Sequence, residues 1–102
     1  DAFHQYLLTQ SLTENDISRI EAAKTLHDAR WLNVNDIKYQ EIVVILRQTI
    51  YTYCETSYTN RFGVELKEAC EQELKKNNLL SESLDKSLVE VLYYEQKYNR
   101  NN

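Results

Sequence analysis

The sequence predicts an all-α fold, a small antiparallel bundle of four to five helices, and three observations carry that expectation. The 102 residues include no Pro and a single Gly, so few positions break a helix. Apolar residues recur at helical spacing through most of the chain, and no segment alternates with the two-residue period of a half-buried strand. The stretch Asp36 to Phe62 is uninterrupted by either breaker and is followed at once by Gly63. A chain of this length holds one domain, residues 1–102, with 99–102 expected as a disordered polar tail.

The stretch 36–62 is expected to be the central helix. At 3.6 residues per turn, Lys38, Glu41, Gln48, Thr52, Glu55, Thr56 and Thr59 gather on one strip. Ile37, Ile42, Val43, Val44, Leu46, Ile50, Tyr51, Tyr53, Cys54, Tyr58 and Phe62 cover a wide arc around the rest. So broad an apolar surface calls for neighbours on more than one side.

The other elements follow in order. Asp1 to Ser11 forms a short helix or a frayed end, with Phe3, Tyr6, Leu7 and Leu8 the candidates to face inward. Thr13 caps the next helix, Glu14 to Leu32, with Asp16 three residues on and Leu12 and Ile17 at the places of a hydrophobic staple. Asn33 or Asn35 caps the central helix, and Gly63 supplies a left-handed residue at its end. A helix over Val64 to Lys76 stops at Asn77-Asn78. Ser81 or Ser83 then caps a last helix reaching roughly to Tyr98.

Charge and composition exclude some functions. A net charge of −4 and no accumulated basic face argue against nucleic acid as a partner. The longest apolar run, Ile42 to Leu46, is far too short to span a membrane. The chain contains no Met, which fits removal of a signal peptide or truncation.

Cys54 and Cys70 stand almost symmetrically about Gly63, so a fold-back there would bring them to one height on adjacent helices. A disulfide between them is expected, and with it a periplasmic or secreted protein; a cytoplasmic one with two reduced core thiols is the alternative. Neither Cys has a Cys or His at ligand spacing, and His4 and His27 are distant, so no metal and no other cofactor is expected.

Several polar residues fall where apolar ones belong. Lys24 and His27 interrupt the stripe Ile17, Ile20, Ala23, Trp31, Gln40 and Arg47 fall within the central apolar arc, and Glu95 lies on the stripe of Leu88, Val91 and Tyr98. Arg47 and Glu95 are expected to pair. The sharper reading makes Lys24, His27, Gln40 and Arg47 a cationic pocket for a small anion. The run His27…Asp36-Ile37-Lys38-Tyr39-Gln40 is faintly similar to the Lys–linker–Asp-x-x-Arg-Glu pattern of small helical chorismate mutases, with His27, Tyr39 and Gln40 at the Lys, Arg and Glu places. That likeness implies only the enzyme alternative, a dicarboxylate clamped by Lys24, His27 and Arg47.

No nucleophile stands at a useful spacing from a base, so catalytic residues are not assigned. Tyr93 and Tyr94 point about 100° apart on a helix, so one of them is expected at the surface. With Glu90 they are the expected partner contacts of a non-enzymatic, inhibitor- or immunity-type protein that meets a protein partner, a basic one by charge. A homodimer is a further alternative.

Overall fold

The computed structural model describes residues 2–56, 63–80 and 84–100, without the side chains of Thr56 and Arg100. Five helices occur among them: α1 (Ala2–Leu8), α2 (Glu14–Trp31), α3 (Ile37–Thr56), α4 (Val64–Lys76) and α5 (Lys86–Arg100). The all-α bundle is as the sequence predicts. The expected stretch of the central helix from Ser57 to Phe62, the Ser81 and Ser83 caps and the end of the tail lie outside the described residues. Helix α5 continues through Asn99 and Arg100, into the segment expected as tail.

Local chemistry sets the boundaries. Thr13 caps α2 as expected, its hydroxyl accepting from the Asp16 amide at 3.1 Å. Asp36 caps α3 in place of Asn33 or Asn35. Its Oδ1 accepts from the Tyr39 amide at 3.3 Å, while Asn33 closes a local turn onto the Asn35 amide. Asp85 caps α5, accepting from the Ser87 amide at 2.9 Å. Asn78 ends α4 with φ 57°, and the Leu79 and Asn78 amides bond back to the Leu74 and Lys75 carbonyls at 2.9 and 3.1 Å, a Schellman closure. Gly63 corrects another expectation. Its φ of −163° is extended, and it stands at the N-cap of α4.

Helix α3 packs on α4 and α5, α2 packs mainly on α5, and α1 lies across α2 and α5. α5 thus shares the centre with α3 and touches all four other helices. Every residue from Val89 to Tyr94 on α5 is buried, as a helix enclosed on all sides requires. The core joins Leu7, Ile20, Val43, Leu46, Leu66, Leu74, Val89 and Val91, none of which retains solvent contact.

The cysteines are corrected as well. Cys54 and Cys70 are both buried in this core, and no disulfide joins them. Equal distance from Gly63 along the chain fixes height only, whereas a disulfide also needs facing Cβ atoms at close approach. Burial, with the nearby Glu71 and Glu73 charges, pushes the Cys70 thiol up to about 12, so it stays protonated and unreactive. The argument for an oxidising compartment loses its support.

Candidate functional site

The polar residues that interrupt the apolar stripes meet along the seam of α2, α3 and α5. On α2, Lys24, His27, Asp28 and Trp31 share one face through their three- and four-residue spacings. Tyr39 and Arg47 come from α3 and Glu95 from α5. The Lys24 ammonium stands 3.2 Å from Asp28 Oδ2 and 3.2 Å from Glu95 Oε1, so it bridges the two carboxylates. Arg47 approaches Glu95 Oε2 at 3.9 Å while its guanidinium lies 4.6 Å over the Trp31 ring. The expected Arg47–Glu95 pair is present, but the Arg47 side chain is 43% exposed, and so loose a pair contributes little to stability.

His27 is the buried member, only 2% exposed. Its Nδ1 is 2.7 Å from the Tyr39 hydroxyl, and its ring stacks on Trp31 at 6.2 Å between centroids. Arg30 covers the other side of Tyr39, its guanidinium 4.0 Å over the phenol ring, and is held there by Asp36 at 2.9 Å. Burial pushes the His27 pKa below its ordinary value, against the pull of Glu95 and Asp28, and pushes the Tyr39 phenol up to about 12. Burial also works against the Lys24 ammonium, but Glu95 and then Asp28 outweigh it and raise its pKa. The two cations of the seam, Lys24 and Arg47, thus face two carboxylates, Asp28 and Glu95, so the pairs balance in number.

That balance decides what the seam can bind. Lys24, His27 and Arg47 do converge, but around Glu95 and Asp28, which already pair with the Lys24 and Arg47 charges. Gln40 is engaged elsewhere, its amide donating to the Trp31 and Asn33 carbonyls at 3.2 and 3.3 Å and closing the end of α2. The four residues do not form an open cationic pocket. Beside the seam lies a groove of about 380 Å³ floored by Ala22, Ala23, Leu26 and Leu88. Its rim arginines are occupied as well, Arg30 by Asp36 and Arg19 by Glu90.

The expected partner surface on α5 is corrected. Tyr93, Tyr94 and Glu90 are 1%, 8% and 4% exposed. Tyr93 and Tyr94 pack edge to face at 5.2 Å, because an enclosed helix buries directions that a surface helix would leave to water. Glu90 takes both arms of the Arg19 guanidinium, at 2.7 and 3.2 Å, an ion pair joining α2 to α5.

Sequence reasoning passed over two members of the seam. Asp28 stands four residues after Lys24, a signal that was there to read. Tyr39 offered none, because its bond to His27 depends on how α3 turns back along α2. Apolar residues left in water include Leu8, Leu26 and Val64 on separate helices, and a set aligned on α3. On α3, Ile37, Val44 and Tyr51 are 60%, 46% and 53% exposed and follow one another at seven-residue intervals, with Leu32 and Val34 exposed in the preceding turn. No family model, no curated protein and no solved structure matches this chain.

Proposed function

We propose that this chain is a non-enzymatic protein-binding module of inhibitor or immunity type, and that it meets its partner with the outer face of α3. The observation that carries this reading is the stripe Ile37, Val44 and Tyr51, exposed along α3, the longest of the described helices. Scattered apolar side chains at a surface are ordinary, whereas these three stand in one line along a helix, at the seven-residue spacing of anchors that enter a groove or meet a second helix. Lys38, Glu41, Gln48 and Glu55 flank it and would form the polar rim. The net charge of −4 favours a basic partner and fast association at low salt. The matched charges of the seam support this reading over the small-anion one, since neither Lys24 nor Arg47 is available to clamp a dicarboxylate.

The test compares the wild-type protein with Val44→Asp as bait in extracts of the native source, with circular dichroism confirming equal helix content. A specific partner retained by the wild type should be lost, or weakened at least tenfold, with Val44→Asp. A partner held equally by both proteins would move the binding surface away from α3.

A further inference from the structure

The seam also has the makings of a cation site. His27, Asp28 and Glu95 each offer a ligand atom, and these atoms all lie within 4.8 Å of one another. The sequence concealed this set, because two members are adjacent on α2 while the third arrives from α5 far along the chain. We infer that His27, Asp28 and Glu95 form a binding site for a divalent transition-metal ion of the zinc class, with the Lys24 ammonium occupying the cation's seat when the metal is absent.

Three features support the assignment. The donors are one imidazole nitrogen and two carboxylates, a mixed set that suits zinc and its neighbours and offers too few oxygens for calcium. The Nδ1 of His27 is hydrogen-bonded to the Tyr39 hydroxyl at 2.7 Å, which holds the ring in orientation and leaves Nε2 as the nitrogen to take the ion. The two carboxylates already share a cation, since Lys24 Nζ lies 3.2 Å from each. Tetrahedral zinc at bond lengths of about 2.1 Å needs ligand atoms about 3.4 Å apart. Closing the remaining gap takes side-chain rotation of Asp28, which is half-exposed, and of Glu95. Lys24 is partly exposed, so its long stem lets the ammonium swing into solvent and free both carboxylates. With three protein donors, water completes the coordination. The Arg47 charge beside Glu95 opposes the ion, so the affinity belongs in the micromolar range, below that of structural zinc sites.

The experiment is calorimetric titration of the full chain with zinc chloride after removal of metals by a chelator, with circular dichroism on every variant. One ion should bind per chain. His27→Gln and Glu95→Gln should each weaken binding at least tenfold, and Tyr39→Phe, which keeps the ring in place, should weaken it severalfold. Lys24→Met should tighten it, because the competing ammonium is gone. If His27→Gln fails to fold, Glu95→Gln carries the same comparison. His4, which pairs with Glu21 at 2.8 Å on the surface, supplies the control, and His4→Ala should leave the titration unchanged. Absence of binding in both the wild type and Lys24→Met would overturn the inference. So would zinc binding that survives Glu95→Gln or disappears with His4→Ala.

Discussion

His27 ties acidity to stability, because its imidazole is buried in a seam that otherwise carries matched charges. In the folded chain its pKa is depressed, by burial first and by Arg47 and Lys24 to a smaller extent, against the opposite pull of Glu95 and Asp28. Between that depressed value and the unfolded value of about 6.5, the unfolded chain binds more protons. Its contribution is therefore complete above the unfolded value and is lost as pH falls toward the folded one. The carboxylates held low by hydrogen bonds act in a separate window. Asp16, held by Thr13 and then Arg19, and Asp36, held by Arg30, contribute above about pH 4 and lose that contribution below it. Urea melts at pH 7 and pH 5 in the presence of a chelator should show the wild type losing more stability than His27→Gln. Equal losses would mean that His27 does not titrate in this window. Lys24, His27 and Arg47 were legible in the sequence as breaks in apolar stripes. The Arg47–Glu95 pair was legible as well, but the second cation on Glu95, Lys24, was not, since side-by-side packing sets the register of α5 against α2.

At the scale of the element, the helices were legible because each is closed by chemistry written nearby, and the errors concern which residue does the closing. Asp36 outcompetes the neighbouring Asn33 and Asn35 as a cap, being a charged acceptor at the positive end of a helix, and Asp85 does the same work for α5. Gly63 is the instructive case. A glycine after a long helix suggests a left-handed turn, yet its backbone is extended and a Cβ added there would meet nothing within 4 Å. Gly63→Asp should therefore fit without strain and supply the cap that α4 lacks. Its stability in a urea melt should stay level or rise by a few tenths to about 1 kcal/mol. A loss of about 1 kcal/mol or more would indicate that the position needs a conformation reserved for glycine. The faces of α5 were the least legible part. Periodicity marks one buried stripe, and it cannot announce that neighbours will also cover the directions of Val89, Glu90 and Tyr93.

For the molecule as a whole, the position of α5 implies that the bundle stands or falls together. α5 contacts every other helix, and one continuous core runs from Leu7 on α1 through Val43 on α3 and Leu74 on α4. The buried residues form one cluster to which α5 contributes throughout, so unfolding should be a single cooperative transition. Two signals test this at different places. The single Trp, Trp31, lies in the seam against His27 and Arg47, so its fluorescence reports on the joint of α2, α3 and α5. Far-ultraviolet circular dichroism reports on all five helices at once. In urea the two curves should coincide, and Leu92→Ala on α5 should shift both equally, with a loss of about 2–5 kcal/mol for the buried side chain. Fluorescence that changes before ellipticity would reveal a seam that opens while α3 and α4 stay packed. The bundle would then be two cooperating pairs of helices, and the polar cluster its hinge.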